Sequence, residues 1–191
     1  EVEHPTYGKV MVGGTKKYSS RVTPPWMLEE GCHRNFAFTM FHADEMPLLT
    51  WGALDMKRMG NNLWKVTIEV VNDKMIPSRT AMAAKHHIGA PDTLNCTTSY
   101  ANKVATSGTV RSLLPTTKLS VIESEQPQRI LVNNGISGND STLFQFIIDG
   151  VGDVTFTYTA EKGGSLEKTV RLKEQFIPKV ITHKRSIPTI D

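Results

Sequence analysis

The chain has 191 residues, of which 39% are hydrophobic and 21% charged, so it can bury a core and is neither disordered nor collagen-like. Lys and Arg outnumber Asp and Glu by 22 to 19, and the resulting net charge of +3 is too small to indicate a nucleic-acid partner. Every apolar run is far shorter than the ~18 residues of a membrane span, and two cysteines are too few for a disulfide framework or a cysteine-based zinc site.

The sequence begins at Glu1 rather than at a methionine, and no charged segment followed by an apolar one marks a signal peptide. This beginning predicts a processed form or an excised part of a longer polypeptide. The residues that carry the chemistry of such a parent would then lie outside this chain.

A helix is predicted over about residues 25–44, within a first block that spans residues 1–50. Thr23 is a suitable cap, Pro24 suits the first helical position, and two acidic residues follow in the first turn, where the helix dipole favours them. A short extended segment at residues 8–12 precedes the helix and ends in a glycine turn.

The predicted helix carries a stripe of apolar side chains. Residues of this kind recur at every fourth position, and two more are expected to widen the stripe: Leu28, Cys32, Phe36 and Met40, then Phe38 and Phe41. Cys32 is therefore expected to be a small core residue rather than a nucleophile. Residues 1–24 are too few to cover the stripe, so its partner is expected in the second block or in a missing part of the parent.

The second block, residues 51–175, is predicted to be mainly β, an antiparallel β-sandwich of the immunoglobulin-like class. Hydrophobic and polar residues alternate over residues 64–70, which is typical of a strand with one buried face. Three later runs are predicted to form a meander, at residues 143–148, 154–159 and 166–172.

The remainder of the chain is less regular in its pattern. Short strands are expected at residues 118–123 and 129–133, and residues 78–117 are expected to hold one or two strands within long loops. Residues 176–191 contain two prolines and no clear period, which predicts an extended, loosely held tail.

His42 and Glu45 match an HxxE pattern, which on a helix would let both side chains reach one metal ion. A zinc site needs a third ligand, and the histidines considered for it are His33, His86, His87 and His183. The alternative is a helix end where His42 complements the dipole and Glu45 faces water. We prefer this alternative and predict no metal ligand and no catalytic residue in the chain.

Other groups that could carry chemistry have simpler interpretations. His86 and His87 would point to opposite faces of a strand and could not easily share an ion. Cys96 lies in a Thr-rich segment predicted to be a loop, and no base accompanies it. Core packing is expected for the three tryptophans, and an exposed platform for sugars is the alternative: Trp26, Trp51 and Trp64.

Three segments carry a resemblance to a known family: residues 4–14 (HPTYGKVMVGG), 24–30 (PPWMLEE) and 34–38 (RNFAF). They resemble the C-terminal part of large bacterial zinc carboxypeptidases of the carboxypeptidase A-like class. There a similar stretch, followed by two prolines and a long helix, closes the α/β peptidase domain, and a β-sandwich comes next. The likeness continues more loosely through residues 60–77.

The resemblance implies a parent that removes C-terminal residues from peptides, with a zinc ion held by His, Glu and a distant His and with a separate Glu as general base. No residue of this chain aligns with those zinc ligands, which precede the matched region. Similar sequences usually have Glu where this chain has Met11. If that Glu is the general base, Met11 cannot replace it, because a thioether takes no proton at neutral pH.

We therefore predict three parts: residues 1–50 as the last strand and helix of a truncated peptidase domain, residues 51–175 as the sandwich, and residues 176–191 as the tail. The expected function is accessory and structural, namely docking on or positioning the upstream peptidase domain of the same polypeptide. The resemblance implies zinc for the parent only, and export to the periplasm or the extracellular space.

Three other functions are compatible with the sequence. The sandwich could be a binding module for carbohydrates or peptides, which an exposed row of Trp or Tyr would favour. The chain could be a complete enzyme that uses His42, Glu45 and a distant histidine. It could also be an assembly domain in which the apolar helix stripe pairs two chains.

Overall fold

The computed structural model describes residues 1–14, 23–60, 62–99, 103–113, 119–121 and 125–173. The chain divides into two compact units, Glu1–Glu45 and Met46–Asp191, and each has its own architecture. The predicted tail, residues 176–191, lies outside the described residues. No described helix is both long enough and apolar enough to cross a lipid bilayer.

In residues 1–14 and 23–45 the first unit contains a hairpin and a helix. Strands β1 (Val2–His4) and β2 (Gly8–Val10) pair antiparallel. A 3₁₀ turn at Pro25–Met27 leads directly into helix α1 (Leu28–Asp44), so the helix predicted over residues 25–44 is confirmed.

The start of the helix differs from the prediction by one residue. Pro25, not Pro24, takes the first helical position, and Pro24 itself stays extended with ψ near 146°. A proline forces the preceding residue out of the helical region, so the second proline of the pair keeps the first one outside the helix. Thr23 is therefore too far from the helix to act as its cap.

The described part of the second unit contains nine strands and one short helix. In chain order they are β3 (Leu49–Arg58), β4 (Leu63–Asn72), α2 (Ala81–Lys85), β5 (Asp92–Thr98), β6 (Lys103–Val110), β7 (Ser120–Val121), β8 (Arg129–Val132), β9 (Asp140–Asp149), β10 (Gly152–Ala160) and β11 (Gly164–Leu172). One sheet has the order β3-β4-β9-β6-β7 and the other β11-β10-β5-β8. All strand pairs are antiparallel, which confirms the mainly β class and the antiparallel packing of two sheets.

The predicted meander of three strands is wrong. Strand β9 pairs with β4 and β6, whereas β10 pairs with β11 and β5 in the opposite sheet. Of the three strands in the predicted meander, β10 and β11 pair as a hairpin and β9 does not pair with either. The chain changes sheets between Gly150 and Gly152, whose φ angles of 130° and 127° suit glycine alone.

This change of sheet places the apolar faces of β9 and β10 against each other. The rings of Phe146 and Phe156 have centroids 5.3 Å apart, and those of Phe144 and Tyr158 6.3 Å apart. All four side chains are fully buried. Strand β10 alternates apolar and polar residues, and β9 is apolar from Leu143 to Ile148 except at Gln145, so stacking across the two layers buries a large apolar surface.

The one or two strands predicted within residues 78–117 are confirmed as β5 and β6. The segment also contains helix α2, which the sequence pattern did not predict. Strand β3 was also missed, because a bulge between Trp51 and Leu54 interrupts the alternation that marks a strand. The strand expected at residues 118–123 is present as β7, and residues 122–124 lie outside the described part of the chain.

Candidate functional site

Helix α1 is the most apolar exposed element that the structure describes. None of its residues is buried. The exposed fraction is 83% for Trp26 in the preceding turn, 64% for Phe36 and 63% for Phe38. Aromatic side chains of this size normally lie in a core or an interface, so the surface of α1 is the first candidate for a binding surface.

The apolar side chains of α1 project from two sides of the helix, which corrects the prediction of one widened stripe. Successive helical residues are about 100° apart, so Phe38 lies about 200° around the axis from Phe36. Phe41 lies on the same side as Phe38, and Met40 on the side of Phe36. A helix that is apolar on more than one side is typical of a position inside a larger structure.

Cys32 lies on this helix and is exposed, so the prediction that it is a core residue is wrong. The prediction assumed that the stripe packs against a partner, and the helix has no buried side chain. Cys96 is the buried thiol, on strand β5 rather than in a loop, and burial raises its pKa to about 12. A thiol with so high a pKa is a poor nucleophile at neutral pH.

The hairpin of the first unit, like helix α1, exposes its apolar side chains. Val2 and Val10 are cross-strand partners on one face, and Glu3 and Lys9 are partners on the other. Val2 is exposed, as are three apolar residues around the hairpin: Tyr7, Met11 and Val12. Across residues 1–14 and 23–45 no side chain is buried, so the described part of this unit has no core of its own.

Among the histidines considered for a metal site, His42 belongs to the first unit, and His86 and His87 belong to the second. His42 is in the last turn of α1, where its ring contacts Phe38 at a centroid distance of 4.6 Å, and Glu45 caps the same helix. His86 caps α2 and His87 adopts a positive φ of 54°, so the pair lies in a turn and not on a strand. Among the described residues, which exclude His183, no three His, Cys, Asp or Glu side chains are grouped to hold a metal ion.

The tryptophans of the sheet unit do not form a platform. Trp51 and Trp64 are half-buried and pack against the core. Within residues 46–60, 62–99, 103–113, 119–121 and 125–173 no Trp or Tyr side chain is exposed. A row of exposed aromatic rings, which a sugar-binding face would use, is thus not found in the described part of this unit.

A buried polar cluster at one end of the sheet unit was not predicted. Asp92 Oδ2 accepts hydrogen bonds from Ser78 Oγ at 2.5 Å and from the Tyr158 hydroxyl at 3.0 Å. Ser78 Oγ accepts in turn from the Ile136 backbone N–H at 2.7 Å. Burial, together with the Asp92 charge, raises the pKa of Tyr158, so its hydroxyl stays protonated and remains a donor.

Arg79 extends this cluster toward α2. It is 7% exposed, and its guanidinium donates to the carbonyl oxygens of Asn133 and Ile88 at 3.1 Å each. Ser78 and Arg79 also approach Gly135 so closely that a Cβ there would lie 2.6 Å from Ser78 Oγ. The cluster thus joins loops of the sheet unit and has the character of a structural network.

Glu69 fills the bulge of strand β3. Its carboxylate accepts from Ser141 Oγ at 2.6 Å and from the Ala53 backbone N–H at 2.9 Å. A Cβ on Gly52 would lie 2.5 Å from Glu69 Oε2, which explains a glycine at this position. Glu69 also lines an open depression of about 390 Å³ together with Asp73 and Asp140, but these carboxylates already accept hydrogen bonds within the sheet unit.

Glu69 is expected to make stability depend on pH. The hydrogen bond from Ser141, then that from Ala53, lowers its pKa below the ordinary value of 4.5. A carboxyl whose pKa is lowered by folding stabilises the protein above its unfolded pKa, and this contribution is lost as the pH falls through the folded pKa. Urea unfolding at pH 7 should show Glu69→Gln to be less stable by about 1 kcal/mol.

The difference between Glu69→Gln and the unmodified chain should shrink steadily below about pH 4.5. Glu167→Gln is the matched control, since Glu167 is exposed on β11. A constant difference from pH 7 to pH 3 would contradict the assignment.

A family model described as Domain of unknown function (DUF8731) matches residues 48–171, nearly two thirds of the chain. The match covers both sheets and begins after helix α1 ends. No curated protein matches the chain.

Proposed function

The chain belongs to the DUF8731 family of domains of unknown function, and we propose that it is the non-catalytic C-terminal region of an exported zinc carboxypeptidase. In this proposal the first unit docks on the peptidase domain that precedes it in the same polypeptide. The two packed sheets form an immunoglobulin-like sandwich that helps to position that domain. The zinc ligands and catalytic residues belong to the parent and not to this chain.

The observation that carries the proposal is a first unit whose described residues, 1–14 and 23–45, form secondary structure but no buried core. A two-stranded hairpin and a single helix are each marginally stable in water unless they pack against something larger. Helix α1 exposes Phe36 and Phe38 on opposite sides, and burying one such ring contributes about 2–3 kcal/mol. A domain that covers both sides of the helix would supply the missing stability.

The resemblance to zinc carboxypeptidases supports the proposal that the domain covering helix α1 is a peptidase domain. Its most specific segments, residues 4–14 and 24–38, lie in the first unit, whereas the family match begins at residue 48. The two signals therefore divide the chain between helix α1 and strand β3. This division is what a peptidase remnant followed by an accessory domain would produce.

Met11 has a consequence within the proposal. Its thioether cannot act as a general base, so a parent that depends on a Glu at this position would be impaired. The chain would then serve a parent that binds peptides more effectively than it cleaves them.

The test uses the longer polypeptide. The coding sequence upstream of Glu1 should contain an HxxE pair and a later His. In the full-length protein, amide hydrogen exchange of residues 28–44 should be at least about 100-fold slower than in this chain, since burial of one Phe ring corresponds to a factor of that order. Phe36→Asp and Phe38→Asp should each restore fast exchange.

Asn35→Asp is the matched control, because it adds the same charge to a polar position of the same helix. It should leave the slow exchange intact. An upstream sequence without zinc ligands would refute the carboxypeptidase assignment, and equal exchange rates in the long and short proteins would refute docking by α1.

A further inference from the structure

The turn of the first hairpin is closed by a histidine. His4 Nδ1 accepts hydrogen bonds from the backbone N–H groups of Thr6 at 3.1 Å and of Tyr7 at 3.3 Å. Pro5 has no N–H group, so these are the first two donors after β1. The ring of Tyr7 packs on the imidazole with a centroid distance of 4.9 Å.

This arrangement requires one protonation state. A ring nitrogen accepts hydrogen bonds only when it carries no proton, so His4 must be neutral with its proton on Nε2. Turns of this type are usually closed by Asp or Asn, which do not change charge between pH 5 and 8. Histidine is the side chain that does change charge in this range.

We propose that His4 is a proton-controlled latch of the hairpin Val2–Val10: the neutral ring closes the turn, and protonation opens it. The added proton converts Nδ1 from an acceptor into a donor that faces two other donors. Each lost hydrogen bond of ordinary strength favours the open turn by about fivefold. A hairpin of two three-residue strands has little other stabilisation to oppose this.

The charged groups of the described hairpin do not compensate for the added proton on the ring. Glu3 and Lys9 are cross-strand partners, and alternation along the strand places them on the face opposite His4. Gly8, the cross-strand partner of His4, has no side chain. The side chain that lies against the imidazole is the phenol ring of Tyr7.

The test is an NMR titration of the whole chain from pH 8 to pH 5. We expect the ring signals of His4 and the amide signals of Thr6 and Tyr7 to shift with one common midpoint. The cross-strand contact between Val2 and Val10 should weaken by at least about fivefold over the same range. His42, which lies in the helix, provides an internal reference whose titration should not move the hairpin amides.

His4→Asn is the matched variant, since the Asn side chain can accept the same hydrogen bonds without titrating. It should keep the hairpin closed at pH 5. Two results would overturn the latch: Thr6 and Tyr7 amides that do not follow the His4 titration in the unmodified chain, or an identical pH response in His4→Asn.

The functional consequence is weaker docking of the first unit on the peptidase domain at acid pH, and this consequence rests on the proposed docking role. The same titration in the full-length protein separates the two ideas. If the hairpin amide signals follow the His4 titration only in the short chain, the latch is supported and its effect on docking is refuted. If these signals follow the His4 titration in neither protein, the latch is refuted, and the docking role is decided by its own exchange experiment.

Discussion

Replacing Phe146 by alanine is expected to lower the free energy of unfolding of the sheet unit by about 3–5 kcal/mol. Phe146 is fully buried on β9 and its ring contacts Phe156 of the opposite sheet at 5.3 Å. The substitution removes the transfer free energy of the ring and leaves a cavity between two layers that strands on both sides hold apart. Equilibrium urea unfolding, followed by tryptophan fluorescence, measures the loss.

Leu131→Ala is the matched control for this core substitution. Leu131 lies on β8 and is 48% exposed, so its truncation should cost less than about 1 kcal/mol. Equal losses for the two variants would mean that the sheets are not packed through these rings. A Phe156→Ala substitution combined with Phe146→Ala should cost less than the sum of the two single losses, because both remove the same contact.

Asp92→Ala is expected to destabilise the sheet unit by about 3–5 kcal/mol. The Asp92 carboxylate is the acceptor for both the Ser78 and the Tyr158 hydroxyl groups, and all three residues are buried. Its removal leaves two buried donors without their acceptor. Thermal and urea unfolding both report this loss.

Asp55→Ala supplies the control, because Asp55 is exposed on β3 and its removal should change stability by no more than about 0.5 kcal/mol. Tyr158→Phe removes one donor and keeps the ring, so it should cost only about 1–2 kcal/mol. This milder variant keeps the prediction testable if Asp92→Ala does not fold. Stability of Tyr158→Phe equal to that of the unmodified chain would contradict the network.

The polar cluster shows why parts of this protein could not be predicted from its sequence. Ser78 and Asp92 are 14 positions apart, and Asp92 and Tyr158 are 66 apart, so no local pattern links them. Strand β4 was predictable because its alternation is local and the alternate side chains from Trp64 to Val70 are apolar. The bulge in β3 hides the same signal there, since Gly52 and Ala53 shift the alternation by one residue.

The helix surface could be predicted in part. The apolar residues of α1 were recognised, but their arrangement on two sides follows only when each is placed around the helix axis. The exposure of Cys32 could not be predicted, because a periodic apolar pattern indicates a buried face without identifying the element that would cover it. The latch residue His4 gave no signal, because a hydrogen bond from a backbone N–H two residues away leaves no compositional trace.

The passage of the chain from one sheet to the other at Gly150–Gly152 has a consequence for the order of folding. Phe146 and Phe156 are separated by few residues, so bringing their rings together closes a short loop at low entropic cost. Pairing of β4 with β9 must close a far longer loop. We therefore expect the two layers to meet first at this corner, and the distant strands to assemble onto a nucleus that spans both.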